Sequence, residues 1–365
     1  MRKIGILYGG RSGEHEVSLC SAASIVEAID RTKYEPVAIG IDRTGRWHPQ
    51  EKPVLIDDPD FGKVLALEES GDWRVNHFES EGLLVLHELT GGKTISVDAV
   101  FPALHGTFCE DGTLQGLLEL AMVPFVGADA AGSAIGIDKD IAKRLLREAG
   151  IPVVEWVTFR KSAWLSNREG SLERAMSIPL PLFVKPCRTG SSVGVKKVIK
   201  SDELPAALDF AFQYDTKVMV EKGISAREIE CSVLGNDKPE VSVPGEIIPN
   251  HDFYSYEAKY IDPEGAELKI PAQISPQLAE KIREAAAAGY AALCCSGMAR
   301  IDFFLEKDTD FFYLNEINTL PGFTSISMYP KLWEAGGLSY AELIDRLIFL
   351  AFERYNERKL IRTEK

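Results

Sequence analysis

The stretch ARIDFFLEKDTDFFYLNEINTLPG, from Ala299 to Gly322, decides how the chain folds and what it can bind. Two runs of alternating apolar and polar residues flank a charged segment, and this pattern predicts an antiparallel hairpin. If the two strands pair symmetrically, Asp302 lies opposite Glu316 and Arg300 lies opposite Asn318. Because side chains alternate between the faces of a strand, all four would share one face of the sheet.

The facing carboxylates of this hairpin predict a metal site. Directly opposed acidic side chains, about 5 Å apart, repel one another unless a cation compensates their charge. The carboxylates of Asp302 and Glu316, together with the amide oxygen of Asn318, are ligands that Mg²⁺ accepts, and phosphate oxygens of a nucleotide would complete the octahedron. The alternative is a solvated hairpin whose acidic side chains never come together.

The other face of the hairpin is predicted to be buried. The same symmetric register assigns to it Ile301, Phe303, Tyr313 and Ile317, which are apolar, and Asn315, which is a polar exception. A face of this composition is typical of strands that pack on a hydrophobic core.

A glycine-rich stretch, VKPCRTGSSVGVKKV (184–198), predicts a phosphate-binding flap. It is not a Walker A loop, because no Gly-Lys-Ser/Thr closes it and a strand follows it. Between two strands, its backbone N–H groups and the hydroxyls of Ser191 and Ser192 would close over phosphates. Lys185 on the preceding strand and Lys139 at a helix start are candidate phosphate ligands. The alternatives are a plain hairpin turn and solvated surface lysines.

Further carboxylates follow apolar strands at two places in the chain. In KVMVEKGI, Glu221 ends a strand, where a carboxylate and its neighbouring backbone would accept hydrogen bonds from adenine or ribose. In GGRSGEHEVS (9–18), Glu14 and Glu16 begin a helix, and this sets the turn apart from the glycine turns that hold phosphate. Complementarity to the helix dipole, worth about 0.3–1 kcal/mol, explains such acids without any ligand.

Composition limits the classes of partner. With a net charge of −14, a nucleic acid or an anionic membrane surface is disfavoured as the main partner, whereas ATP is not. No apolar stretch approaches the roughly 20 residues that span a bilayer, and the first apolar run is too short for a secretory signal. The six cysteines lack metal-finger spacing, so we expect a reduced, cytoplasmic setting.

The order of predicted elements divides the chain into three lobes. Strands and helices alternate in residues 1–130, which predicts an open α/β domain with a parallel sheet. We expect a central lobe with the flap at 131–225, and a lobe of largely antiparallel strands with the metal site at 226–365. The fold class is therefore α/β, with α+β character in part. The polar segment 250–265 has little periodicity and is predicted to be a functional loop.

Together these segments resemble the ATP-grasp superfamily, and within it the D-alanine–D-alanine ligases. The resemblance covers essentially the whole chain in the family's order, although residues 42–97 are the least diagnostic. The segments that carry it are GGRSGEHEVS, ALHGTFCEDGTLQG, IDKDIAKRLL, FVKPCRTGSSVG, MVEKGI, REIECSV, YSYEAKY, ARIDFF and LNEINTLPGFTSIS.

The resemblance implies ligation of two D-alanine molecules by way of an acyl phosphate, for cell-wall precursor synthesis. It implies ATP and two Mg²⁺ or Mn²⁺ ions as cofactors, and a homodimer. Asp302, Glu316 and Asn318 match the metal ligands. The residues that match the ATP ligands of the family are Lys139, Lys185, Ser192, Glu221, Glu228 and Lys259.

The resemblance also implies roles at the substrate end. Glu14 would receive the ammonium of the first D-alanine and hydrogen-bond with Ser191 and Tyr260. Ser327 would hold the carboxylate of the second D-alanine, and His105 lies on its amine side. Arg300 and the backbone N–H of Gly322 match the groups that stabilise the oxyanion.

Two rival functions remain open at this point. The first is an ATP-grasp ligase with another acceptor, such as D-lactate or D-serine, although Tyr260 favours an amine. The second is a non-catalytic ATP sensor, which would not need the oxyanion donor Arg300. A carboxylase of the same architecture is disfavoured by YSYEAKY and HEVS, which suit an amino-acid pocket.

Overall fold

The computed structural model describes residues 1–76, 82–249, 265–324 and 326–362. The predicted site residues Lys259 and Tyr260 lie outside these ranges, as does nearly all of the predicted loop 250–265. Among the described residues, no helix combines the length and the apolar character that crossing a membrane requires.

The first lobe is an α/β layer. Its elements are β1 (Arg2–Gly9), α1 (His15–Ala28), β2 (Tyr34–Ile41), β3 (Trp47–Gln50), β4 (Leu55–Asp58), β5 (Gly62–Leu65), β6 (Trp73–Asn76), β7 (Leu84–Glu88), β8 (Thr94–Val97), β9 (Ala99–Pro102) and α2 (Thr113–Leu120). The main sheet has the order β3-β2-β1-β9, and β1 pairs in parallel with both β2 and β9. Strand β3 is antiparallel to β2, because the short connection between them permits only a hairpin. The predicted parallel sheet is thus confirmed except at this edge.

The central lobe carries a four-stranded antiparallel sheet in the order β10-β13-β11-β12. The flap connects β11 to β12, as the sequence predicts. The elements of this part of the chain are α3 (Ala130–Ile137), α4 (Lys139–Glu148), β10 (Trp156–Arg160), α5 (Lys161–Ser166), α6 (Arg168–Ala175), β11 (Leu182–Pro186), β12 (Lys196–Val198), α7 (Leu204–Ala211) and β13 (Lys217–Lys222).

The third lobe is built on an antiparallel sheet in the order β17-β16-β14-β18-β19, with β15 paired to β14. Strands β18 and β19 form the hairpin that the opening stretch predicts. The elements are β14 (Ala226–Gly235), β15 (Glu240–Val241), β16 (Gly245–Pro249), β17 (Ala266–Lys269), α8 (Pro276–Ala292), β18 (Gly297–Glu306), β19 (Phe312–Asn318), α9 (Met328–Ala335) and α10 (Tyr340–Lys359).

A β-bulge interrupts the hairpin after the predicted metal positions. Ile301 pairs with Ile317 in the symmetric register, but Phe303 pairs with Leu314, so Asn315 is the extra residue. Leu314 therefore lies on the buried face, and the prediction that Tyr313 would lie there is wrong. The bulge also accounts for the polar exception, because Asn315 lines the cavity of the site.

The three lobes do not have three separate cores. One hydrophobic cluster runs from the first lobe into the third, where Phe101 meets Phe323 edge to face with ring centroids 5.5 Å apart. Helix α4 packs with α8 and the third sheet through Leu146. The central sheet has a cluster of its own around Val184 and Val220. The flap therefore belongs to a body with an independent core, facing a larger body formed by the other two lobes.

Candidate active site

A cavity of about 830 Å³ lies where the lobes meet. Every predicted site residue that the structure describes lines this cavity, although these residues span more than 300 positions of the chain. They are Glu14, His105, Lys139, Lys185, Ser191, Ser192, Glu221, Glu228, Arg300, Asp302, Glu316, Asn318, Gly322 and Ser327.

The predicted pairing across the hairpin is confirmed at the four positions with polar side chains on the cavity face. Asp302 lies opposite Glu316, and Arg300 lies opposite Asn318. Arg300 donates from Nε to one Asp302 oxygen at 2.8 Å and from Nη2 to the other at 2.7 Å. Asn318 donates from Nδ2 to Asp302 at 3.0 Å. The Asp302 carboxylate is thus oriented by three donors.

A third carboxylate, which the sequence reasoning missed, continues this row. Glu230 on β14 lies opposite Asp302, so acids occupy matching positions on three adjacent strands. Its Oε2 lies 3.0 Å from Arg300 Nε, and only 5% of the residue is exposed. The signal was present in REIECSV, where Glu228 and Glu230 are two residues apart and therefore share a face.

The acidic row does not by itself form a metal cage. Among the described residues, no three carboxylate, imidazole or thiol groups converge as metal ligands do. The oxygen donors at this position are the carboxylates of Asp302 and Glu316 and the amide oxygen of Asn318, all on the cavity wall. This donor set is hard and anionic, and it fits Mg²⁺ or Mn²⁺ when a nucleotide supplies the remaining oxygens.

The flap reaches the first lobe directly. The hydroxyl of Ser191 donates to a carboxylate oxygen of Glu14. Ser191 and Ser192 both have positive φ, +47° and +59°, a region that non-glycine residues seldom adopt. Glu14 occupies the N-cap position of α1 and is only 8% exposed. Its Oε2 would lie 2.9 Å from a Cβ at Gly106, so the backbone of the first lobe encloses this carboxylate closely.

The two predicted phosphate lysines make different contacts. Lys139 donates from Nζ to the Thr189 carbonyl of the flap at 2.8 Å and lies 3.8 Å from Glu316. Lys185 donates to Glu221, whose other oxygen lies 2.7 Å from Lys143 Nζ.

The Glu221 carboxylate is therefore held between two ammonium groups. Burial alone would raise its pKa, but Lys143 and Lys185 outweigh this effect and lower the pKa to about 2. Sequence reasoning missed Lys143, because lysines at a helical spacing are usually exposed.

Two titratable groups lie on the opposite side of the cavity. Burial lowers the pKa of His105, with partial opposition from the charge of Glu14, so the imidazole is neutral at neutral pH. Its Nε2 lies 2.9 Å from the Ser21 hydroxyl. Burial, and then the charge of Glu14, raises the pKa of Glu110 to about 8. Glu110 was not singled out from the sequence, although it belongs to ALHGTFCEDGTLQG.

Gly322 and Ser327 are in close contact beside these groups. A Cβ at Gly322 would lie 2.8 Å from Ser327 Oγ, so only glycine fits there without moving the serine. Ser327 Oγ accepts from the Thr324 N–H at 3.0 Å and lies 2.8 Å from the Thr324 hydroxyl. Ser327 also begins α9.

This arrangement, with a flap-bearing antiparallel sheet closing on a second antiparallel sheet, is the ATP-grasp architecture. Residues 3–128 match the family model described as D-ala D-ala ligase N-terminus, and residues 145–349 match D-ala D-ala ligase C-terminus. The chain belongs to the D-alanine–D-alanine ligase family.

Individual relatives agree with this assignment. The D-alanine–D-alanine ligase A of Bradyrhizobium diazoefficiens is 48% identical, aligned over 98% of this chain and 96% of that protein. The D-alanine–D-alanine ligase A of Escherichia coli is 46% identical, over 99% and 98%.

Solved structures give the same fold. The D-alanine–D-alanine ligase of Coxiella burnetii has a TM-score of 0.81 at 38% identity, covering 98% of this chain and 96% of that one. A D-Ala:D-Ser ligase of Enterococcus faecalis has a TM-score of 0.81 at 37% identity, covering 96% and 99%.

Proposed function

We propose that the chain joins two D-alanine molecules in an ADP-forming reaction that supplies cell-wall precursor. The observation that carries this proposal is a single cavity lined by the glycine- and serine-rich flap, by Arg300 with the acidic residues beside it, and by Glu14. The carboxylate of Glu14 accepts a hydrogen bond from the flap. The carboxylate of the first D-alanine attacks the γ-phosphorus of ATP, giving an acyl phosphate and ADP. The amine of the second attacks the acyl carbon, and the tetrahedral intermediate expels phosphate.

ATP is assigned to the side of the cavity between the central and third sheets. Lys139 and Lys185 supply positive charge for the phosphates, and Ser192 with the flap backbone supplies donors. Both oxygens of Glu221 are engaged by lysines, so hydrogen bonds to the adenosine fall to Glu228 and to the backbone after β13. Apolar side chains suited to the base line the same cavity: Phe183, Ile224 and Leu268.

Two Mg²⁺ or Mn²⁺ ions are assigned to Asp302, Glu316 and Asn318. When bound there, they neutralise charge that develops on the transferring phosphoryl group. The fork of Arg300 on Asp302 keeps that carboxylate facing the cavity.

The first D-alanine is assigned to the Glu14 end. Glu14 accepts hydrogen bonds from its ammonium, while Arg300 and the backbone N–H of Gly322 donate to the oxyanion of the tetrahedral intermediate. Donors aimed at developing charge in a site closed to water contribute more than they would in solution. Two residues outside the described ranges complete this part of the proposal. Tyr260 would hydrogen-bond with Glu14, as Ser191 does, and Lys259 would contact the γ-phosphate of ATP.

The second D-alanine is assigned to Ser327 and His105. Ser327, with the N-terminus of α9, receives its carboxylate. The neutral imidazole of His105 is suited to accept a proton from its ammonium, which leaves a free amine to attack the acyl carbon. The runner-up function is ligation to another acceptor. A D-Ala:D-Ser ligase shares the fold as closely as a D-Ala–D-Ala ligase does, so fold similarity does not discriminate between acceptors.

We further propose a homodimer in the cytoplasm that uses neither a nucleic acid nor a membrane as partner. The net charge of −14 supports the exclusion of polyanions. Membership of the family supports the dimer, and the mass of the protein in solution tests it.

The test of the proposed function is phosphate release with ATP, Mg²⁺ and D-alanine, compared with L-alanine alone. Mixtures of D-alanine with D-lactate or D-serine separate the acceptors, because product masses distinguish the dipeptide from the ester and the mixed dipeptide. Release with D-alanine and none with L-alanine is expected. Equal rates with the two enantiomers would refute the stereochemical assignment, and a preferred mixed product would establish the runner-up.

A further inference from the structure

Beneath the ATP side of the cavity, three side chains form what we call the buried array: Lys143 on α4, Glu221 on β13 and Lys185 on β11. Lys143 Nζ lies 2.7 Å from Glu221 Oε1, and Lys185 donates to Glu221 Oε2. The Lys143 and Glu221 side chains are each 2% exposed, whereas Lys185 is 14% exposed and lines the cavity. One carboxylate thus separates a cation at the cavity from a cation behind it.

Lys143 cannot itself bind a ligand in the cavity. It is not among the lining residues, and its remaining contacts are the Val154 carbonyl at 3.5 Å and the Trp156 ring at 5.7 Å. A fully buried ammonium carries a large desolvation cost unless a charged partner offsets it, and the carboxylate of Glu221 is such a partner. The ion pair that Lys143 forms is therefore with Glu221 and not with a ligand.

The charges of the buried array determine what Lys185 can offer. With all three groups ionised, the array carries a net charge of +1, and Glu221 divides its attraction between two ammonium groups. Without Lys143 the net charge would be zero, and a buried carboxylate with one remaining partner would hold Lys185 strongly. A phosphate group of ATP would then have to compete with the Glu221 carboxylate for the Lys185 ammonium.

We propose that Lys143 is a positioning residue for ATP binding: by neutralising Glu221 from behind, it leaves the charge of Lys185 available to the phosphates. This inference rests on the proposed role of Lys185 in ATP binding. It predicts that Lys143 affects the KM for ATP through Glu221 and not through packing.

The experiment is a double-mutant cycle between Lys143→Gln and Glu221→Gln, with the KM for ATP as readout. Glutamine can still donate to Glu221 but carries no charge. Beside an intact Glu221, Lys143→Gln is expected to raise the ATP KM by about 10-fold or more, with kcat changed less. In the Glu221→Gln background, the same substitution is expected to change KM by no more than about 3-fold, since the competing carboxylate is gone.

A matched control is available on β13, the strand that carries Glu221. Lys217 is also buried and pairs with Asp138 at 2.7 Å and Asp140 at 2.9 Å, and none of these three lines the cavity. Lys217→Met is expected to lower the melting temperature without changing the ATP KM. An equal rise in KM for Lys217→Met would show that loss of any buried cation suffices, and would overturn the proposal.

The remaining outcomes separate this inference from the proposed function. Lys185→Met must raise the ATP KM; if it does not, the role of Lys185 fails and this inference with it. If Lys185→Met raises KM and Lys143→Gln does so equally in both backgrounds, or not at all, only this inference fails. Should Lys143→Gln not fold, the charge-conserving Lys143→Arg replaces it and is expected to keep KM within about 3-fold of the parent. A 10-fold rise in that variant would contradict the proposal.

Discussion

The hydroxyl of Ser191, at the tip of the flap, donates a hydrogen bond to the carboxylate of Glu14, which begins the first helix 177 positions earlier in the chain. This contact joins the body that carries the flap to the body formed by the first and third lobes. The residue proposed to receive the substrate ammonium is therefore also the residue that holds the flap.

Removal of the hydrogen bond between Ser191 and Glu14 is expected to slow the enzyme without unfolding it. Ser191→Ala deletes the donor to Glu14, so the closed flap loses a contact that orients the reactants. We expect kcat/KM for D-alanine to fall by about 10- to 100-fold, since small displacements of reacting groups have effects of that size. The control is Ser166→Ala, which removes an exposed hydroxyl bonded to a carbonyl of α5. Parent kinetics in Ser191→Ala would show that the contact has no catalytic role.

The hairpin acids are expected to be needed for turnover but not for folding. Asp302→Asn and Glu316→Gln keep shape and remove a metal-binding charge, so phosphate release should fall by about 100-fold or more. The melting temperature should stay near that of the parent. Asp308→Asn, on the exposed turn of the same hairpin, is the matched control and should remain fully active. Normal turnover in either site variant would rule out the metal assignment.

Gly322 is expected to tolerate no side chain. In Gly322→Ala the new Cβ would lie 2.8 Å from Ser327 Oγ, so the serine must rotate away and lose its bonds to Thr324. The KM for the second D-alanine should rise by about 10-fold, as expected for a lost hydrogen bond to a charged group. Gly116→Ala, where nothing lies within 4 Å of the new Cβ, serves as control and should leave KM unchanged. An unaltered KM in Gly322→Ala would contradict the assignment of the acceptor subsite.

Glu110 should make stability fall as pH rises. Its pKa increases from 4.5 to about 8 on folding, because burial and the charge of Glu14 disfavour the carboxylate. Between these values the native state binds more protons than the unfolded state, so the free energy of unfolding decreases with increasing pH. Its contribution is fully present below pH 4.5 and lost by about pH 8.

The measurement for Glu110 is the melting temperature between pH 5 and 9 for the parent and for Glu110→Gln, which cannot ionise. The melting temperature of Glu110→Gln should rise relative to that of the parent as pH rises. The melting temperature of the exposed control Glu169→Gln should differ from that of the parent by a constant amount. Parallel curves for the parent and Glu110→Gln would exclude the raised pKa.

Local pattern was sufficient to predict the hairpin and the face that Asp302 and Glu316 share. Alternation and a central turn determine which residues oppose one another, and Asp302 and Glu316 are opposed as expected. The bulge at Asn315 was beyond this reasoning, because a single extra residue leaves the alternation nearly intact while moving Leu314 to the buried face.

Contacts between distant segments set the limit of sequence reasoning. Lys143 lies at a helical spacing that also suits an exposed lysine, and only the approach of β13 to α4 makes it a buried partner of Glu221. Glu230 was predictable in principle from its spacing to Glu228, but its opposition to Asp302 depends on β14 and β18 being neighbours. The raised pKa of Glu110 depends likewise on enclosure by the first lobe.

The edge-to-face contact of Phe101 with Phe323 has a consequence for dividing the chain into fragments. Separating the protein near residue 130 would leave apolar surface of both pieces in water, because one continuous interior serves the first and last lobes. The amino-terminal fragment is therefore a poor candidate for isolated expression, whereas co-expressed complementary fragments could reassemble around that interior.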